Sequence, residues 1–171
     1  MPLPPLSLSD QGGYTRTLAE FRGSFVVLYF YPKDFTSGCT TEACDFRDAS
    51  KELDGLGAIV LGVSKDSSSS HAKFDAKHTL GFALLSDPDL AATKAFAAFG
   101  TKTLHGKVVE GVKRKTVLLS PDGDIIQEWS NVKVAGHVQH VVEAIRAWRN
   151  EARATHDPVV AKEPGTKAER T

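Results

Sequence analysis

The stretch Phe25-Val26-Val27-Leu28-Tyr29-Phe30-Tyr31-Pro32-Lys33-Asp34-Phe35-Thr36-Ser37-Gly38-Cys39-Thr40-Thr41-Glu42-Ala43-Cys44 divides into a strand and the start of a helix. Residues 25–31 are aromatic, β-branched or leucine, with no polar alternation. That pattern marks a strand buried on both faces of a sheet. Pro32 ends it. Ser37 or Thr36 is a candidate cap for the helix that follows, and Gly38 lets the backbone turn closely, which leaves Cys39 in the first helical turn. Ala43, Phe46, Leu53 and Leu56 recur at helical spacings over 40–56. Ala58-Ile59-Val60-Leu61-Gly62-Val63 is a second buried strand. Strand, helix and strand in this order predict a right-handed βαβ crossover.

On the N-terminal side, Gly12-Gly13 marks a turn, and Tyr14–Phe21 suits a short strand and one helical turn. On the C-terminal side, helices are expected over Ser68–Lys77, behind a serine run, and over Pro88–Phe99, with proline in its first turn and Gly100 beyond its end. Phe82–Leu85 is a short apolar piece between them. Thr116-Val117-Leu118-Leu119 is a third buried strand, and Pro121-Asp122-Gly123 turns it back into Ile125–Trp129. Val134, Val138, Val141, Val142, Ile145 and Trp148 describe one face of a closing helix. A parallel βαβ unit followed by an antiparallel hairpin predicts an α/β protein of thioredoxin-like fold, a central mixed sheet with helices on both faces. The domain is expected over 1–150. Residues 151–171, with eight charged residues and no aromatic one, are expected to form a disordered tail.

The 21 basic residues balance the 21 acidic ones. A nucleic-acid or polybasic membrane protein would need a basic excess. The longest apolar run, seven residues, is far short of a membrane span, and no secretory n-region is visible. Nucleic acid and membranes are therefore not expected as partners, and the expected compartment is the cytoplasm. Two cysteines exclude a disulfide scaffold and an all-cysteine zinc site. The six histidines are scattered; His137 and His140 have i, i+3 spacing, but no matching ligand set accompanies them, and they read as surface histidines.

Cys39 lies where free N–H groups and the positive end of a helix dipole favour an anion, and hence the reactive thiolate. Cys44 lies five positions on. On a regular helix the two Cα atoms would be ~8.6 Å apart, whereas a disulfide tolerates about 7 Å. Either the two never bond, or the helix unwinds for them to meet. Gly38 and the β-branched pair Thr40-Thr41 weaken this first turn.

Pro32-x-x-x-Thr36-x-x-Cys39 resembles the peroxiredoxin active-site motif, and the longer run from Val27 to Arg47 is similar to the bacterioferritin-comigratory-protein (PrxQ) branch. The likeness continues through Gly62–Ser67, His71–Phe74, Leu84–Pro88, Gly111–Thr116 and Val132–His137, and spans about 8–147. The resemblance implies a thiol-dependent peroxidase acting on hydrogen peroxide and alkyl hydroperoxides without metal, haem or flavin. It makes Cys39 the peroxidatic cysteine, oxidised to sulfenic acid, and Cys44 the resolving cysteine that condenses with it to an intramolecular disulfide. It makes Thr36 the hydroxyl that bonds the peroxide, Arg114 the cation that holds thiolate and peroxide, and Pro32 the shield of the thiolate. Glu42 falls where the family carries a polar residue bonded to the arginine. The implied reductant is thioredoxin or a similar dithiol protein. An intramolecular resolver removes the need for a dimer, so a monomer is expected.

Two positions depart from the family pattern. Ser37 replaces the proline common before the Gly-Cys pair, and Leu3-Pro4-Pro5-Leu6 stands in place of an Ala-Pro-Asp-Phe segment. Two other functions compete with the peroxidase: a thiol–disulfide oxidoreductase, which usually shows Cys-x-x-Cys rather than Cys-x-x-x-x-Cys, and a non-catalytic redox-sensing holdase.

Overall fold

The structure, a computed structural model, describes residues 3–156. The strand expected at the centre is β3 (Phe25–Phe30), every residue of which is buried. It pairs in parallel with β4 (Ala58–Ser64), Tyr29 lying opposite Gly62. On its other side it pairs antiparallel with β8 (Lys115–Leu119), Tyr29 opposite Thr116. With β1 (Ser7–Ser9), β2 (Thr15–Thr17), β5 (Ala83–Ser86) and β9 (Ile125–Ser130), they form a mixed sheet of order β2-β1-β5-β4-β3-β8-β9.

The alternation of β3 sends its residues into two cores. Val27, Tyr29 and the following Tyr31 join Ala43 and Phe46 of α1 (Ser37–Asp48), Leu53 of α2 (Ser50–Gly55), Phe74 of α3 (Ser68–His78), and Val141, Val142 and Ile145 of α5 (His137–His156). Val26, Leu28 and Phe30 join Leu6, Phe21 and the residues around α4 (Ala91–Ala95) on the opposite face. Gly62 is required by packing: a Cβ there would lie 2.9 Å from both Leu84 Cδ2 and Tyr29 Cζ.

Several elements differ from the sequence expectation. The helix expected over 40–56 begins at Ser37 and divides at Ala49 (φ −92°, ψ 6°), although alanine is a strong helix former. The helix expected over 88–99 shrinks to Ala91–Ala95, because Leu90 and Ala97 both take left-handed conformations (φ 61° and 58°). Its N-terminus is held by the buried Asp87 carboxylate, which accepts from Thr93 N at 2.8 Å and Thr93 Oγ1 at 2.6 Å. Gly100 belongs instead to β6 (Phe99–Leu104), which forms a hairpin with β7 (Lys107–Val112) outside the main sheet. His105 and Gly106 both have positive φ at its tip, as a two-residue type I′ turn requires. The closing helix runs through His156, past the expected boundary at 150. Residues 157–171 of the expected tail lie outside the described residues.

Candidate active site

Past β3, Phe35 adopts a left-handed conformation (φ 67°) that non-glycine residues seldom take. It reverses the chain into Thr36, which occupies the N-cap position of α1 (φ −76°, ψ 154°). The Thr36 hydroxyl does not cap the helix; it donates to Lys33 O at 2.8 Å. The helix instead begins with Thr40 N donating to Thr36 O at 2.8 Å. Cys39, the third helical residue, is 1% exposed.

Arg114, in the link between β7 and β8, points its guanidinium at this first turn. Nη2 donates to Cys39 Sγ at 3.5 Å, and Nη1 donates to Glu42 Oε1 at 2.8 Å. Cys39 and Glu42 are three residues apart and so share a helix face, which is why one planar fork reaches both. The link is fixed at both ends: Lys113 N donates to Ala98 O at 2.6 Å, and Val132 N donates to Arg114 O at 2.9 Å. Gly38 makes room, since a Cβ there would lie 3.1 Å from Arg114 Nη2.

Burial shapes the charges. Glu42 is fully buried, and its Oε2 has no hydrogen-bond partner. Removal from water raises its pKa from 4.5 to about 7, against the opposing charge and hydrogen bond of Arg114. Burial works against the charge of Arg114, but the Glu42 carboxylate and the Cys39 sulfur outweigh it, and the guanidinium titrates above its ordinary range. The Tyr29 hydroxyl, also buried and unpartnered, is pushed well up by burial and then by Glu42 and Cys39. His137, 3% exposed, bonds Thr116 Oγ1 through Nε2 at 2.8 Å and packs edge-on against Phe46 and Trp129. Burial lowers its pKa to about 4, with smaller contributions from His140 and Arg114.

These two shifts give stability opposite slopes with pH. Glu42 is held protonated by the fold, so its contribution is complete below about pH 4.5 and is lost as pH rises through about 7. His137 is held neutral, so its contribution is complete above about pH 6.5 and is lost as pH falls through about 4. Glu42→Gln, which keeps an acceptor for Arg114, is therefore expected to remove the decline that Glu42 imposes between about pH 4.5 and 7. Urea denaturation from pH 4 to 8 should show stability rising to about pH 6.5 and then flat. Between about pH 4.5 and 6.5 the two slopes cancel in the parent, so a variant profile as flat as the parent's in that window would contradict the assignment.

The other sequence candidates are close in the chain but differently placed. Pro32 is half-buried at the end of β3. Cys44 is half-buried, five residues along the same continuous helix, and both cysteines are free thiols. The reading of all histidines as surface residues fails for His71 and His137, which are 0% and 3% exposed. A lone histidine carries no periodic signal; only its register on α3 or α5 decides its burial.

Sequence pattern gives no sign of the role of Asp34. Its carboxylate is buried and accepts from Tyr31 Oη at 2.6 Å and Ser70 Oγ at 2.8 Å, and it meets His71 Nδ1 at 2.7 Å. Its backbone N–H donates to Asp66 Oδ2 at 2.8 Å. One ligand atom each from Asp34, Asp66 and His71 lie within 4.8 Å of one another. That spacing would suit a cation, but protein donors already occupy both Asp34 oxygens and Asp66 Oδ2.

The arrangement is a buried sulfur at a helix N-terminus, with a fixed cation on one side and a threonine at the head of the helix. Such a site stabilises a thiolate and a small oxyanion leaving group.

The AhpC/TSA family model matches residues 1–128. Peroxiredoxin Bcp of Xanthomonas campestris pv. campestris is 50% identical over 143 residues, covering 84% of this chain and 88% of that protein. Peroxiredoxin Bcp of Bacillus subtilis is 43% identical over 143 residues, covering 84% and 91%. Among solved structures, the bacterioferritin comigratory protein of X. campestris, described for its alkyl peroxide reduction activity, superposes with a TM-score of 0.79 at 48% identity. That match covers 83% of this chain and 90% of the other. A cysteine-to-serine mutant of Xylella fastidiosa PrxQ gives 0.78 at 40% identity, covering 85% and 89%.

Proposed function

The chain belongs to the AhpC/TSA family, among the Bcp/PrxQ peroxiredoxins, and is a thiol-dependent peroxidase of thioredoxin-like fold; on that premise we propose how its own residues carry the reaction. The observation that carries the reading is the Arg114 guanidinium, which contacts both Cys39 Sγ and the buried Glu42.

Cys39 attacks, as thiolate, the terminal oxygen of hydrogen peroxide or an alkyl hydroperoxide. The O–O bond breaks, Cys39 becomes sulfenic acid, and the leaving alkoxide or hydroxide takes a proton to depart as alcohol or water. Arg114, the N–H groups of the first turn and the Thr36 hydroxyl stabilise the charge that develops on the oxygens. Pro32 shields the sulfur from bulk water. Glu42 holds the guanidinium in register. Cys44 then condenses with the sulfenic acid, forming the Cys39–Cys44 disulfide and releasing water. Both cysteines lie in the unbroken part of α1, so this step requires its first turns to unwind. A thioredoxin-like dithiol reduces the disulfide by exchange and leaves as its own disulfide. On this reading the protein works in the cytoplasm and as a monomer, since a resolving thiol in the same chain needs no partner subunit. Among the described residues no helix is long and apolar enough to cross a membrane.

The experiment is mass spectrometry after one equivalent of peroxide, with a Cys39–Cys44 link as the expected product. Cys44→Ser is expected to consume one equivalent of peroxide, to form no internal link and to recycle slowly with thioredoxin. Normal steady-state turnover of Cys44→Ser with thioredoxin would remove Cys44 from the cycle.

A further inference from the structure

The hydrogen-bond network around Asp34 lies beside the reaction but has no part in the chemistry of Cys39 and Cys44. It is completely buried at its centre: His71 is 0% exposed and Asp34 3%. His71 Nε2 lies 3.1 Å from Leu85 O, an acceptor, so this nitrogen carries a proton. His71 Nδ1 faces Asp34 Oδ2 at 2.7 Å, so the ring is anchored through both nitrogens. Tyr31 and Ser70 donate to the same carboxylate. The Asp34 backbone is tied to Asp66, whose Oδ2 also accepts from Ser64 Oγ at 2.7 Å. Ser86 Oγ in turn donates to Asp66 O at 2.6 Å. One residue of the β3–α1 loop is thus fastened to the end of β4, to β5 and to the first turn of α3.

The next two residues depend on that fastening. Phe35 is held at φ 67°, a left-handed conformation that strains a residue with a side chain. Phe35 is also 47% exposed, so packing constrains it only on one side, against Phe74 at 5.1 Å. Thr36 comes next and is exposed, with its hydroxyl on Lys33 O as its one side-chain bond. Without an anchor at Asp34, Phe35 would relax to an extended or helical φ and carry Thr36 with it.

We propose that Asp34 and His71 are positioning residues for peroxide binding: through the fixed Asp34 they hold the strained Phe35 turn that presents Thr36 beside Cys39. This rests on the assignment of Thr36 and Cys39 to the peroxide step. The anchor acts on the loop before α1, whereas disulfide formation requires the first turns of α1 to come apart. The two chemical steps therefore depend on it differently. Peroxide reduction needs the turn held, and disulfide formation does not.

The test is single-turnover kinetics of the fully reduced protein with hydrogen peroxide. It follows peroxide loss and then the appearance of the internal disulfide by acid quench and mass spectrometry. Asp34→Asn and His71→Gln are expected to slow the peroxide step by about tenfold or more, as a misplaced contact group does. The sulfenic-acid-to-disulfide step should be as fast as in the parent or faster. Thr36→Val should slow the peroxide step, and Thr36→Val/Asp34→Asn should be no slower in that step than the worse single variant, because Asp34 acts through Thr36. Tyr31→Phe removes one bond to Asp34 and keeps the ring, so it tests the point even where Asp34→Asn does not fold. It should slow the peroxide step by about fivefold, as loss of one hydrogen bond allows. If Thr36→Val slows the peroxide step but Asp34→Asn, His71→Gln and Tyr31→Phe do not, the positioning role is wrong and the site stands. Equal slowing of both steps would also overturn it. If Thr36→Val has no effect, the peroxide-binding role of Thr36 itself falls.

Discussion

Cys39→Ser is expected to abolish peroxide consumption with any thiol reductant, while leaving the protein folded and almost as stable as the parent. The two side chains differ by one atom, and a serine hydroxyl still offers an acceptor to Arg114 Nη2, which lies 3.5 Å from the sulfur. Loss of packing is therefore small, within about 1 kcal/mol. Chemically the change is complete. An oxygen at this position stays protonated near neutral pH and cannot pass through the sulfenic acid on which the cycle depends. The surroundings cannot compensate, because Arg114 and the helix N-terminus stabilise an anion but supply no nucleophile. Peroxide consumption measured with a thioredoxin system, beside urea denaturation of the same sample, checks both halves. Turnover above background in Cys39→Ser would place the nucleophile elsewhere; Cys44 would then be the other candidate thiol.

Arg114→Met is expected to lower the rate of peroxide reduction by roughly a hundred- to a thousandfold, the loss typical when a fixed electrostatic donor is removed from a reacting centre. It also destabilises the fold. Breaking a buried ion pair by deleting one partner costs about 3–5 kcal/mol when the remaining charge cannot escape. Glu42 can escape by taking a proton. Its Oε2 is already unpartnered, and its pKa stands at about 7 even with Arg114 beside it. Without Arg114, desolvation acts unopposed, and Glu42 stays neutral to higher pH. The variant is therefore expected to lose little stability at pH 5 and progressively more towards pH 8, read from urea midpoints at the two pH values. Adding Glu42→Leu should restore much of the stability at pH 8 without restoring the rate. A double variant that recovers peroxidase activity would show that Arg114 acts only by neutralising Glu42. Arg114→Lys keeps the charge but not the fork that spans Cys39 and Glu42, and it should fall between the two.

The contacts behind these expectations are legible in the sequence to very different degrees. The central strand, the cysteine at the head of the following helix and the parallel crossover are readable because each depends on local pattern. An apolar run rich in β-branched and aromatic residues reads as a doubly buried strand, and Gly38-Cys39 at a strand-to-helix junction places the thiol at the helix N-terminus. The i, i+3 spacing of Cys39 and Glu42 puts both on one helix face. The β6–β7 hairpin escapes a reading by pattern because its strands are largely exposed and alternate weakly, and its His105-Gly106 turn lacks the usual asparagine or aspartate. Helix α4 is shorter than its pattern suggests because left-handed backbone at Leu90 and Ala97 leaves no mark in residue type.

Sequence alone thus determined the succession of the buried central strands β3, β4 and β8 and, through its motif, the reaction class. Which charges are buried, and which groups share them, was decided by the tertiary structure. Arg114 is 75 residues from Cys39, and His71 is 37 from Asp34. Both pairs meet because β8 and the first turn of α3 pack beside the β3–α1 junction. Burial then does what residue type cannot announce: it raises Glu42, lowers His137 and ties the Asp34 loop to three other elements. Local pattern records the preferences of neighbouring residues, whereas desolvation and long-range hydrogen bonds exist only once the chain has closed around them.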